Sequence, residues 1–374
     1  MGQEPNKRVS LASLYRLALL LHSGVPYRLF RGGYAFPTIH YYLEVTRRCN
    51  LRCRMCQYIE WLKEALPEEQ KRGELSTEEW KRVIDQTGRF SLVTFTGGEP
   101  WVRSDFLDLL EYACARRMTH CISNCTLLNA ARARRCVELA AKRFGGRGLM
   151  SLGVSLDAPG AVHDTIRGLD GAFDRVTETI SNLTHYRTER GQRWPMVHVT
   201  TVIQEANVDV LHEMPRVARD IGADVLNLTL EIRFHDFRRL GDVDPSAIRA
   251  SDIRLPRIER ARLEGALHKT LDAAQSAGIE VRLPRMPLDQ VVEYYAGDQD
   301  LGQFECRTPW TTLFIGCKGD VFPCFIYKAG DIRRESIKAI WNGARMRAFR
   351  KRCRKGLWPV CKGCCEMNYR ANGN

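Results

Sequence analysis

The sequence has no apolar run that could span a bilayer. Its most apolar early stretch, LASLYRLALLLH (residues 11–22), is too short, is interrupted by Arg16, and is followed by no cleavage-like site. These features predict a cytoplasmic chain whose thiols stay reduced. Repeats at solenoid periods and low-complexity tracts are also missing. Acidic residues are absent between Lys7 and Arg31, where five basic ones stand: Lys7, Arg8, Arg16, Arg28 and Arg31. This segment reads as an ordinary amphipathic helix packed through Leu14, Leu17 and Leu21. The other reading is a peripheral membrane contact on an anionic surface, or a clasp for an anionic or phosphorylated substrate. Aromatic residues are not interleaved with the basic ones, and no basic recognition helix stands out. The net charge of +13 is therefore weak support for nucleic-acid binding.

What the chain has in quantity is cysteine. At 374 residues it can bury a core without covalent staples, so its 14 cysteines are not needed for stability. They fall into an N-terminal triplet, a scattered set (Cys114, Cys121, Cys125, Cys136) that reads as small buried hydrophobes, and a group from Cys306 onward. In the triplet, CNLRCRMC, Cys49, Cys53 and Cys56 follow a Cys-x3-Cys-x2-Cys spacing with no fourth Cys or His nearby. Three thiolates on one loop can hold three corners of a cubane iron–sulfur cluster and leave the fourth iron open to a small molecule. A structural zinc site is the competing reading, but zinc prefers four closed ligands.

From about residue 40, short β-rich runs alternate with helical patterns, as in parallel βαβ units. Strands are predicted at 41–46, 91–95, 119–123, 149–156, 197–203 and 224–230, and helices at 104–117, 129–143, 171–190 and 207–221. Ser76 and Glu79 form a capping box ahead of Trp80. Residues 233–262, with Pro245 and Pro256, read as a connector before a helix at 258–277 and a strand at 279–283. Periodicity alone leaves a partial barrel and a doubly wound sheet both open.

The triplet matches CxxxCxxC, and TGGEP (96–100) follows the second strand. Together they resemble the radical S-adenosylmethionine (radical SAM) family. The resemblance implies a partial (β/α)6 TIM-type barrel, and it implies that SAM chelates the open iron. It also implies that one electron then releases a 5'-deoxyadenosyl radical that abstracts a hydrogen atom from substrate, with flavodoxin or ferredoxin as electron donor. Gly97 and Gly98 allow close backbone approach to a ligand, Pro100 fixes the turn, and Glu99 can accept from an ammonium group. Further family-like segments supply Asn124 (ISNCTLL), Ser155 and Asp157 (SLDAPG), and Arg167 (HDTIRG), the last for the SAM carboxylate. Met55 stands where the family often has an aromatic residue and can pack on adenine.

The C-terminal group resembles a SPASM domain, or its shorter twitch-like form. Cys306, Gly319 and Cys324 match its start, and Cys361-x2-Cys364 matches its later pair. Position 370, where the full pattern has its next cysteine, is Arg, so the resemblance implies one auxiliary 4Fe-4S cluster on Cys306, Cys324, Cys361 and Cys364. Cys317, Cys353 and Cys365 are held in reserve, and a zinc ribbon is the alternative. The expected organisation is an N-terminal basic extension (1–39), the barrel (40–240), a connector (241–300) and a small Cys-rich α+β domain (301–374). With about 40 residues before the first strand and no peptide-recognition domain in view, the expected substrate is a small molecule, sugar or lipid-like compound undergoing oxidation, epimerisation or bond formation. The alternative within the class is a peptide-modifying maturase. The alternative of another class is a non-enzymatic zinc or Fe-S protein that binds nucleic acid.

Overall fold

The computed structural model describes residues 11–232, 249 and 256–370. Seven parallel strands run through the first part: β1 (His40–Thr46), β2 (Leu92–Gly97), β3 (Met118–Ser123), β4 (Gly148–Ser155), β5 (Met196–Ile203), β6 (Val225–Leu230) and β7 (Glu280–Arg282). The Cys-rich part adds β8 (Phe304–Glu305), β9 (Thr312–Ile315), β10 (Asp320–Phe322), β11 (Gly330–Asp331) and β12 (Asn368–Tyr369). Ten of these form one sheet in the order β11-β10-β9-β1-β2-β3-β4-β5-β6-β7, and β8 pairs with β12 in a small second sheet. This is the α/β architecture of a parallel partial barrel.

The helices are α1 (Leu11–Leu29), α2 (Ile59–Glu64), α3 (Pro67–Lys71), α4 (Thr77–Gln86), α5 (Phe106–Cys114), α6 (Ala130–Glu138), α7 (Gly160–Arg167) and α8 (Ala172–Glu189). They continue with α9 (Met214–Asp220), α10 (Arg260–Ala277), α11 (Leu288–Ala296), α12 (Ile337–Trp341) and α13 (Ala344–Cys353). Strand period and burial agree. Tyr41, Leu43 and Val45 are buried in the same apolar core as Trp80, Val83 and Ile84 of α4, while His40, Tyr42 and Glu44 alternate onto the other face. The start of α4 carries the expected box: Glu79 N donates to Ser76 Oγ (3.2 Å) and Ser76 N donates to Glu79 Oε2 (2.8 Å).

Two local expectations change, and a third falls largely outside the described residues. The helix expected over 207–221 divides into a 3-10 stretch, Val208–Glu213, and α9, whose early Pro215 has no N–H to continue a ladder from the preceding turn. The HDTIRG segment lies on the helix α7, which ends at left-handed Gly168 (φ 68°). Most of the predicted connector, 233–248 and 250–255, lies outside the described residues. Cys114, Cys121, Cys125 and Cys136 are all buried, as expected of small hydrophobes.

The first hairpin of the Cys-rich part is continuous with the barrel. β9 runs parallel to β1 with His40 opposite Thr312 and Leu43 opposite Ile315, and β10 returns antiparallel along β9. A buried cation fastens the other side. Arg350 is fully buried and donates to Pro309 O (2.8 Å), Gly33 O (3.2 Å) and Asn342 Oδ1 (3.0 Å), with its guanidinium 4.1 Å from the Trp341 ring. Burial pushes its pKa down to about 9. Trp341 Nε1 also donates to Phe36 O (2.7 Å), so the segment after α1 is tied to α12 and α13.

Candidate functional site

Four loops meet at the C-terminal ends of the strands, the edge where parallel barrels place their chemistry. The loop after β1 carries Cys49, Cys53 and Cys56. Cys56 N donates to Cys53 O (3.1 Å), and Arg52 N and Arg54 N donate to Arg167 O (3.2 Å) and Ile166 O (3.0 Å) at the end of α7. The loop after β2 lies directly on it: Gly98 N donates to Thr46 O (2.8 Å) and Glu99 N to Arg48 O (2.9 Å). This contact accounts for both glycines. A Cβ on Gly97 (φ 154°) would stand 2.2 Å from Thr46 O, and one on Gly98 would stand 2.3 Å from Arg48 O. The close approach they permit here is to the thiol loop itself.

Glu99, expected to accept from an ammonium group, is engaged within the protein. It is fully buried and accepts from Asn124 N (2.7 Å), Ser123 Oγ (2.9 Å) and Trp101 N (3.2 Å), joining the second loop to the third. Burial pushes its pKa up to about 7 against the pull of those three donors. Pro100 opens the 3-10 turn Pro100–Val102. Asn124 donates to Asn50 Oδ1 (3.1 Å) and reaches Cys49 Sγ at 3.8 Å. Arg167 reaches Cys53 Sγ at 3.8 Å and ion-pairs with fully buried Asp157 at 2.7 Å. Burial lowers the Arg167 pKa, but Asp157 and Cys53 outweigh it and the guanidinium stays charged. Asp157 also accepts from Val202 N (3.0 Å), and its own N–H donates to His163 Nδ1 (3.1 Å). Ser155 ends β4, and Met55 sits half-buried between the second and third thiols.

The donor set suits an iron–sulfur cluster. Burial pushes the Cys49 and Cys56 thiols up to about 12 and about 11, so neither ionises at neutral pH without a metal. Backbone N–H groups already point at their sulfurs, Leu51 N at Cys49 and Tyr58 N at Cys56, both at 3.4 Å. Among the described residues no three His, Cys, Asp or Glu side chains converge on a single ion. A cubane, in which each ligated iron takes a single protein sulfur, needs no such convergence.

In the Cys-rich part, Cys306, Cys324, Cys361 and Cys364 line one largely apolar cavity, and so does a fifth cysteine, Cys353 of α13. Cys353 Sγ contacts Cys306 O at 3.8 Å. Phe314, Phe349 and Trp358 share the walls, with the last two stacked at 4.9 Å. Of the reserve residues, Cys353 faces this cavity, whereas Cys317 and Cys365 do not line it.

A second cavity of about 250 Å³ lies between the two thiol groups, and apart from Gly97 the sequence did not single out its walls. It is lined by Gly97 and by Tyr42, Glu44, Tyr58, Phe314 and Phe325, the last two shared with the cysteine-lined cavity. Tyr42 and Phe314 stack at 4.9 Å. The Glu44 carboxylate accepts from Tyr58 OH and from Arg47 Nε (3.0 Å). Alternation along β1 was the available signal, since it puts Tyr42 and Glu44 on one face. Three half-buried histidines, His40, His120 and His198, lie along β1, β3 and β5, and desolvation holds their pKa values down at about 3, 4 and 4. His40 bonds Thr94 Oγ1 (2.8 Å), and His120 bonds Ser151 Oγ (2.8 Å).

A three-thiol loop at the mouth of a parallel partial barrel, joined by strand pairing to a cysteine-lined cavity, defines a two-site iron–sulfur protein. Residues 43–218 match the model of the radical SAM superfamily, and residues 306–365 match that of SPASM, an iron–sulfur cluster-binding domain. The chain therefore belongs to the radical SAM superfamily, carries a C-terminal SPASM domain, and is an enzyme with a 4Fe-4S cluster, SAM and auxiliary iron–sulfur ligation as its cofactors. It is 26% identical over 368 residues to the antilisterial bacteriocin subtilosin biosynthesis protein AlbA of Bacillus subtilis, covering 91% of this chain and 70% of that protein. It is also 26% identical over 295 residues to the AdoMet-dependent heme synthase of Oleidesulfovibrio alaskensis, covering 78% and 67%. Its fold matches that of Streptococcus suis SuiB bound to the precursor peptide SuiA with a TM-score of 0.61, at 13% identity, over 93% of this chain and 74% of that one.

Proposed function

We propose that this enzyme modifies a peptide by radical chemistry. The observation that carries the reading is the alignment with AlbA, a protein named for bacteriocin biosynthesis, which extends over 91% of the chain and so includes the Cys-rich part. SuiB, solved with a precursor peptide, supports it through the shared fold. The expectation of a small-molecule substrate gives way to this reading, which was the alternative.

In this proposal Cys49, Cys53 and Cys56 hold the SAM-binding cluster. Asn124, Ser155, Arg167, Met55 and the Gly97-Gly98-Pro100 backbone hold SAM, Asp157 orients Arg167, and Glu99 braces the two loops beside it. Cys306, Cys324, Cys361 and Cys364 hold the auxiliary cluster. When bound, these groups supply the one-electron chemistry that removes a hydrogen atom from an unactivated C–H bond. The chain's own part is to fix the reacting group and exclude water. The cavity walled by Tyr42, Phe314 and Phe325, with Glu44 as its hydrogen-bond acceptor, suits one side chain held between the two centres.

The test is anaerobic incubation of the reconstituted enzyme with reductant, SAM and a precursor peptide encoded beside it, read by mass spectrometry of the peptide and chromatography of 5'-deoxyadenosine. A changed peptide mass together with 5'-deoxyadenosine is expected. Conversion of a heme precursor with the peptide untouched overturns the peptide reading, and the heme synthase relative makes this the pertinent control.

A further inference from the structure

Three leucines of α1 do not pack inward. Leu17, Leu20 and Leu21, at the i, i+3, i+4 spacing of one helical face, are 52%, 58% and 53% exposed. The other face of the helix is occupied. Ser23 and Pro26 are buried, Tyr27 meets the Trp310 ring edge-on at 4.9 Å, and His22 Nε2 bonds Pro37 O at 2.9 Å. The helix is thus fixed by one side with an apolar stripe turned to water.

Leu20 also lines a groove with Phe90, which is 85% exposed, and with Ile39, Leu92 and Met118. Charged Arg285, Arg307 and Glu305 lie on the same walls. His40, Leu92, Met118 and Thr312 in this groove are the first residues of β1, β2, β3 and β9, so it sits at the end of the barrel opposite the thiol loop that follows Thr46. Exposed Arg89 lies beside Phe90, with its guanidinium 5.7 Å from the ring. Exposed Arg28 and Arg31 close the C-terminal end of α1. From residue 5 to residue 43 the sequence contains no Asp or Glu.

We propose that this face docks on an anionic lipid surface, with α1 lying in the interface, Leu17, Leu20, Leu21 and Phe90 entering the acyl boundary, and the catalytic mouth turned away from the membrane. An apolar stripe bordered by Arg28, Arg31 and Arg89, with Glu305 on the groove wall ion-paired to Arg307, matches the chemistry of such a surface. No described helix is long and apolar enough to cross a bilayer, so the contact is peripheral. A second copy is the poorer occupant, because a two-fold contact through α1 would set its arginines against themselves. A peptide substrate in this groove would lie at the wrong end of the barrel.

The experiment is co-sedimentation of the full, anaerobically reconstituted chain with phosphatidylcholine vesicles, and with the same vesicles containing phosphatidylglycerol, at low and high salt. Light scattering of the free protein runs in parallel. Binding is expected only to the phosphatidylglycerol vesicles and weaker in high salt. The variant Leu17→Glu/Leu20→Glu/Leu21→Glu should lower it at least about tenfold, and Phe90→Ser by several-fold. Because these side chains are exposed and far from the thiol loop, formation of 5'-deoxyadenosine should be unchanged. Equal sedimentation with both vesicle types, undiminished binding of the triple variant, or a wild-type dimer that the triple variant dissolves without any vesicle binding would each overturn the proposal.

Discussion

The two thiol sites are built in opposite ways. Cys49, Cys53 and Cys56 lie on one loop, held in place by backbone hydrogen bonds with the loop after β2 and with the last residues of α7, and by polar side chains such as Asn124 and Arg167. Cys306, Cys324, Cys353 and the Cys361–Cys364 pair come from four separate segments and face an apolar space walled by Phe314, Phe349 and Trp358. A polar, open surround lets a small molecule reach iron, whereas a dry aromatic one shields a cluster and tunes its potential. On the proposed assignment, the surroundings divide the labour between two sites whose donor atoms are the same.

The sharpest break in this comparison is Cys53→Ala. It should lower SAM cleavage at least about a hundredfold while roughly half the iron remains, because the auxiliary site is untouched. Iron analysis and 5'-deoxyadenosine chromatography check this, and complete loss of iron would mean that the sites assemble together. Next is Cys361→Ala, which should abolish product formation but leave substrate-free SAM cleavage in place; loss of both would show that the sites are not separable. A smaller effect is expected from Gly98→Ala, whose Cβ would stand 2.3 Å from Arg48 O. Forcing the two loops apart should cost about 1–3 kcal/mol in denaturant stability and weaken SAM binding measured by equilibrium titration.

The smallest effect tests the brace beneath the polar site. Folding raises the Glu99 pKa to about 7, so the folded state holds this proton more tightly than the unfolded chain does. Its stabilising contribution is complete below the ordinary carboxyl range and is lost as pH rises toward about 7. Glu99→Gln should flatten that decline in denaturation midpoints measured across the interval. An unaltered slope would place the responsible proton on another group.

The same contrast explains what could be read in advance. The triplet was legible because its ligands are contiguous, and the strands were legible because burial alternates along them, as at Tyr41, Leu43 and Val45. The neighbours that Gly97 and Gly98 serve were not legible, since Thr46 and Arg48 reach them only through the parallel pairing of β1 with β2. The Glu44, Arg47 and Tyr58 cluster was missed for a similar reason, being assembled by tertiary packing, and the same packing is what sets Cys353 apart from the other two reserve cysteines. The stripe on α1 was visible as a stripe, but helical period does not say which side meets water. Leu17 and Leu21 therefore went to the wrong side in the expectation.

Because β9 is laddered to β1, the C-terminal module is no detachable cap. The strand that ends in the thiol loop also serves as the template for the first strand of the module. Transplanting that module from a relative would succeed only if the recipient kept the His40 to Thr312 alignment. A slip of one residue would turn Phe314 out of the shared wall and alter the spacing between the two metal centres.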